Sequence, residues 1–229
     1  MIRSVVLWCP EHRVPQQTEI HCPTYAGAMS KSAGELTLIG ILERAQAEGA
    51  LGARPVAEVI EHARHFVAAL PADVGSVLDM GSGAGIPGLV IALDRPNVRV
   101  TLVDRRAKRT DALRRAVNAL DWSHRVQVVE DDAEAMAQSA AWRHSHDAVV
   151  ARGFGEPRLT LPLAVVLVRR GGWVVISEPP TTDGSRWEPS WVESLGVGPP
   201  ERCGAVVRFH VEPPLGESVT QPAGAPPVL

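Results

Sequence analysis

The stretch richest in reactive and ligand-binding residue types runs from Asp79 to Asp104, an acid followed by a glycine series and then by a second acid. Asp79 closes a short apolar run, and Gly81, Gly83, Gly85 and Gly88 come directly after it. Glycines in such a series allow positive φ and let a ligand come close to the backbone. A helix starting after them turns its free amides and positive dipole end toward the loop, so a ligand bearing a negative group is expected there. Asp104 ends the next apolar run, where a carboxylate can accept from both hydroxyls of a ribose. Arg105, Arg106, Lys108 and Arg109 follow at once. Cations at the mouth of a ligand cleft suit phosphate contacts.

Positioning these groups requires alternating strands and helices. Ser76 to Met80 reads as a buried parallel strand that turns at the glycines into a helix over Gly88 to Leu93, with Pro87 in its first turn. Val98 to Val103, Arg125 to Val129, His146 to Arg152 and Trp173 to Ser177 read as further strands. Between them, the spacing predicts helices over Arg105 to Asp121, in a short piece after Asp132, and over Pro157 to Val168, with Gly171-Gly172 turning the chain into the fifth strand. Ala205 to Val211 alternates and is expected to be the antiparallel edge strand. The implied class is α/β, a doubly wound and mostly parallel sheet with right-handed crossovers.

Two amphipathic helices, Gly34 to Ala50 and Pro55 to Leu70, precede the first strand and are expected to pack across the sheet edge and cap the pocket. The organisation reads as an irregular arm over 1–33, a single domain over 34–212 and a Pro/Gly-rich disordered tail over 213–229. Met29 offers an alternative start.

Composition narrows the class. The 229 residues are 45% hydrophobic and 21% charged, enough to bury a core and incompatible with disorder over most of the chain. A net charge of −3 announces no global field for nucleic acid, so any RNA contact must come from a local patch. The three cysteines, Cys9, Cys22 and Cys203, form no C-x-x-C pair and suit a reducing cytoplasm, with Cys203 read as a packed thiol. No apolar run reaches membrane-spanning length. Cys9, His12, His21 and Cys22 match no common zinc spacing, and His62 and His65 lack a third ligand in register, so no metal is expected.

The glycine loop fits two cofactor classes. Gly83 to Gly88 satisfies the dinucleotide fingerprint G-x-G-x-x-G. The series led by Asp79, however, resembles the first motif of class I S-adenosylmethionine-dependent methyltransferases, in which the acid and loop amides hold the methionine end of the cofactor. The runs LDMGSGAGIPGLVIALDRP, TLVDRRAKRTDALRRA, VEDDAEA and VVARGF carry a more specific likeness. Over about Leu36 to Ser177 the chain resembles the small-subunit ribosomal RNA guanine-N7 methyltransferase family, also called glucose-inhibited division protein B. That resemblance implies S-adenosylmethionine as cofactor and 16S ribosomal RNA or the small subunit as partner; the cysteines and the lack of a signal segment point to the cytoplasm, and a monomer is expected. It places Asp79, Gly81, Gly83, Gly85, Ile86 and Asp104 on the cofactor, Ala133 and Glu134 beside the adenine, and Arg152 at the reacting centre. Arg105, Lys108, Arg109 and Phe154 are the expected RNA contacts, whereas Arg114 and Arg115 read as a solvated face.

The chemistry implied is direct displacement, because guanine N7 has a free lone pair and alignment supplies the catalysis. Glu178, an acid just after the fifth strand, keeps a small molecule or another RNA open as acceptor. A nicotinamide-dependent oxidoreductase is the further alternative that the same loop admits.

Overall fold

The computed structural model describes residues 32–213. The segments before and after that span, with Cys9, His12, His21 and Cys22, lie outside the described residues. In chain order the elements are α1 (Ala33–Ala47), α2 (Val56–Ala69), β1 (Ser76–Met80), α3 (Gly88–Asp94), β2 (Arg99–Asp104), α4 (Ala107–Ala119) and β3 (Val126–Glu130). They continue with α5 (Ala133–Gln138), β4 (His146–Ala151), α6 (Pro157–Leu167), β5 (Val168–Ser177), α7 (Pro189–Ser194), β6 (Glu201–Cys203) and β7 (Val206–His210).

The seven strands among the described residues join one sheet in the order β3-β2-β1-β4-β5-β7-β6. β1 to β5 pair in parallel, and β7 runs antiparallel between β5 and β6. This is the doubly wound, mostly parallel α/β sheet the sequence predicts. The expectation that the last strand forms the edge is corrected: β6 pairs outside it, and three residues are too few to show an alternating pattern.

Side-chain alternation divides the core between the two faces. Leu38, Phe66, Leu89 and Leu113 bring α1 to α4 together on one face, and Met136, Leu161 and Val192 bring α5 to α7 onto the other. The strand order reverses between β1 and β4, and the crevice at such a reversal opens beyond the carboxyl ends of the strands. α1 and α2 pack with α3 and α4 on one face of the sheet, not across its edge as the sequence reading has them.

Three polar fixtures hold this frame. Arg64 on α2 binds Glu35 of α1 at 2.9 Å, Asp94 of α3 at 3.2 Å, and Glu61. Arg95 donates to the carbonyls of Val67, Leu70 and Pro71, closing the C-terminal end of α2, where carbonyls lack helical partners. At the amino end of the sheet, Asp147 Oδ2 accepts from the amides of Gly75 and Ser76 and from the Ser76 hydroxyl.

Two readings change. β5 begins at Val168, before the glycine pair, because the register with β4 jumps from His146↔Val168 to Ala148↔Trp173. A Cβ on Gly172 would lie 2.5 Å from the Asp147 carbonyl oxygen, so glycine here serves close strand approach within a bulge. Cys203 is buried and disulfide-bonded, not a packed thiol as the sequence suggests.

Candidate functional site

At the switch point the loop after β1 is built from short, specific contacts. Ser82 donates its amide to the Val103 carbonyl at 2.8 Å, and its hydroxyl accepts from the Val103 amide at 3.0 Å. The same hydroxyl donates to the Asp79 carbonyl at 2.9 Å, so one side chain lashes the loop to both neighbouring strands. Strand alternation sends Leu78 and Met80 to the α5–α7 face and Asp79 to the face beneath α3. There Asp79 Oδ2 accepts from the Gly88 amide at 2.9 Å, at the start of α3. A Cβ on Gly88 would lie 2.7 Å from Asp79 Oδ2 and 3.1 Å from Asp79 Cβ, so a side chain there would push the carboxylate off the amide it accepts from.

A cleft of about 360 Å³ opens over the carboxyl ends of the strands. Gly81, Asp104, Ala133, Glu134 and Phe154 line it, joined by Arg105 and Arg109. Asp104 is 5% exposed and carries a preset carboxylate: Oδ1 accepts from the Arg106 amide, and Oδ2 from the Gly83 amide and the Arg109 guanidinium at 3.2 Å. Asp132 accepts from the Glu134 amide as the cap of α5, and Arg105 lies 3.7 Å from its other oxygen. The Phe154 ring rests over Gly81, whose missing side chain makes the room, since a Cβ there would be 2.6 Å from Phe154 Cδ2.

The expected cofactor set is thus divided. Gly81, Asp104, Ala133 and Glu134 line the cleft, whereas Asp79, Gly83, Gly85, Ile86 and Arg152 are outside its lining. Asp79 is wholly buried and braces the loop from below. Gly85 faces Leu89 and Leu113, so its missing side chain serves packing of the core, and Ile86 is itself a core residue. The expected RNA contacts divide as well. Arg105, Arg109 and Phe154 line the cofactor-side cleft, and Lys108 lines a second groove that adjoins it through Arg106 and Arg109.

Burial pushes the Asp79 carboxyl up to about 7, against the opposing effect of the Gly88 amide that it accepts. Its Oδ1 is buried with no partner among the described residues. Arg152, half-buried just beyond β4, has its basicity lowered by burial and then by Arg54. His62 on α2 has its pKa lowered by burial and then by Arg152, and its Nδ1 is buried without a partner among the described residues. Sequence reading missed His62 and Arg54 as neighbours of Arg152, because only the packing of α2 on the sheet brings them there. Glu178 is corrected too. Its side chain is buried and accepts from the Trp187 indole, so it presents no acid to an incoming acceptor.

Among the described residues, no group of three or more His, Cys, Asp and Glu could hold a metal ion, and no helix is long and apolar enough to cross a membrane. A family model described as GidB, rRNA small subunit methyltransferase G, matches residues 34–178, well over half of the chain. The chain belongs to the GidB family. Every residue of the cleft falls within the GidB match, whereas α7, β6 and β7 lie beyond it.

Two relatives named ribosomal RNA small subunit methyltransferase G, from Salinispora tropica and Salinispora arenicola, are 41% identical over 147 residues and 38% identical over 144. Each alignment covers 61% of this chain and 58% of the relative, so the match spans little more than half the length of those proteins. Among solved structures, a Corynebacterium glutamicum protein superposes with a TM-score of 0.54 at 16% identity, covering 80% of this chain and 92% of its own. One assigned as a caffeoyl-CoA O-methyltransferase from Staphylococcus aureus gives 0.53 at 11%, covering 80% and 93%. At such identities the likeness shows the fold alone.

Proposed function

We propose that this chain is an S-adenosylmethionine-dependent methyltransferase that transfers a methyl group to guanine N7 of 16S ribosomal RNA. The observation that carries the reading is the convergence of Gly81, Asp104, Ala133 and Glu134 on one cleft at the switch point of a GidB-family chain. The donor set suits a sulfonium nucleoside. Asp104 is oriented by two backbone amides, and each carboxylate oxygen retains acceptor capacity for a ribose hydroxyl. Ala133 is small and buried at the head of α5, where an adenine can lie flat, with Glu134 beside it. The orphaned Asp79 Oδ1 beneath the loop calls for a donor, and the positive charge of the methionine end favours its ionised form.

When bound, the cofactor supplies an electrophilic methyl on a sulfonium. Guanine N7 contributes the electron pair for the new N–C bond, and the pair of the broken S–C bond stays on sulfur. No residue has to remove a proton, so the protein's contribution is alignment within a narrow cleft. Phe154, stacked over Gly81, offers an apolar plane for the acceptor base beside the reacting centre. Arg152 and Arg54, near enough to each other for their charges to interact, suit the O6 or phosphate oxygens of the acceptor nucleotide.

Purified protein should transfer labelled methyl from S-adenosylmethionine to small subunits or naked 16S ribosomal RNA, with 7-methylguanine as product. Arg152→Ala should lower turnover about 10- to 100-fold while affinity for S-adenosylhomocysteine stays within about twofold. Labelling that appears only with cell metabolites, or no heat of association with S-adenosylhomocysteine from folded protein, would overturn the assignment.

A further inference from the structure

The second groove, about 620 Å³, lies between α1 and α4 beside the loop residues Gly83 and Ala84. Its floor is aliphatic, with Ile41 of α1 facing Leu113 and Ala116 of α4. Its rim carries Arg44, Arg106, Lys108, Arg109 and Arg115, with Glu48 as the acid among the lining residues. Arg109 is held by Asp104, but the side chains of Arg44, Arg106, Lys108 and Arg115 make no ion pair among the described residues.

The contrast within α4 is informative. Arg114 pairs with Asp111 at 2.8 Å and lies 3.7 Å from Glu130. Arg115, one position on and rotated about 100° around the helix, faces the groove without a carboxylate among the described residues. A protein with a net charge of −3 has thus gathered along one trough four cations that make no ion pair among the described residues. Arg106 and Arg109 line both this trough and the cofactor cleft, so the two cavities adjoin.

We propose that the α1–α4 groove is the track for the single-stranded RNA flanking the methylated nucleotide, with phosphates on Arg44, Lys108 and Arg115 and base faces on the aliphatic floor. The assignment rests on the methyltransferase reading above. A polyanionic chain with apolar faces matches a cationic rim over an aliphatic floor, and contiguity with the cleft delivers one nucleotide to the cofactor while its neighbours are held outside. Sequence reading gives Arg115 and Arg114 the same solvated role; the groove separates them.

The test measures binding of a short labelled single-stranded RNA to the full chain saturated with S-adenosylhomocysteine, as a function of salt. Arg44→Ala combined with Arg115→Ala should weaken binding about 10-fold at low salt and lower the slope of log affinity against log salt by about 1.4, at about 0.7 for each single-strand phosphate no longer neutralised. S-adenosylhomocysteine affinity should not change, which reports that the variant is folded. Arg44→Lys with Arg115→Lys should stay close to the parent. An unchanged slope overturns the proposal, whether or not affinity falls, because the two guanidinium groups were then not touching phosphate. Since binding is read without methyl transfer, failure of the track and failure of the methyltransferase assignment are distinguishable.

Discussion

The cleft and the groove share a wall yet handle charge in opposite ways. In the cleft, cations and carboxylates are interleaved: Arg109 on Asp104, Arg105 toward Asp132. In the groove, one acid, Glu48, stands among five cations, and Arg44, Arg106, Lys108 and Arg115 make no ion pair among the described residues. Interleaved charge fixes the direction of a few acceptors and suits a small zwitterionic ligand, whereas charge of one sign attracts a long polyanion without demanding a sequence. Within one site, the first arrangement serves precision and the second retention.

The largest expected effect belongs to the cleft. Asp104→Asn should lower S-adenosylhomocysteine affinity by calorimetry about 10- to 100-fold, since hydrogen bonds to a charged acceptor contribute about 1.5–3 kcal/mol. The salt dependence of RNA binding should be untouched; a parallel change in both would merge the two cavities into one electrostatic unit. An intermediate effect concerns Asp79 beneath the loop. Its folded carboxyl sits at about 7, above its unfolded value, so the folded protein holds a proton that the unfolded chain gives up. This group's contribution to stability is present at low pH and is lost as pH rises toward 7, by up to about 1.4 kcal/mol per pH unit. Asp79→Asn keeps an acceptor for the Gly88 amide and should flatten that slope in denaturant titrations between pH 5 and 7, a range set by the value of about 7. The smallest effect is that of Arg114→Ala, whose exposed pairs with Asp111 and Glu130 are expected to contribute under about 1 kcal/mol. Thermal melts should barely move and the salt slope of RNA binding should hold; a fall in that slope would extend the track to the far side of α4.

How much of this was legible in the letters differed from residue to residue. The glycine series, Asp104 and Asp132 declare themselves, because a strand–turn–helix at a sheet's carboxyl edge leaves few alternatives for acids at those points. Which atoms of the motif face a ligand did not show. Gly85 and Ile86 belong to the fingerprint yet pack against the core, for a spacing rule names positions without naming their direction. Glu178 looked like an exposed acid until the chain folded back nine residues later to bring the Trp187 indole against it. The different fates of Arg114 and Arg115 depend on the packing of α1 beside α4, which makes the groove that Arg115 lines while Arg114 pairs with Asp111 on its own helix. β6 stayed hidden because three residues pair through a partner strand, not through a pattern of their own.

Helix α1 enters the buried core through Leu38 and Leu42 and is fastened to α2 and α3 by Glu35 on Arg64. Ile39 and Ile41 pack beside those leucines against the same core, and Gln46 donates to the carbonyls of Gly52 and Arg54, so the wall that α1 gives the groove is continuous with the packed interior and keeps its shape when the groove is empty.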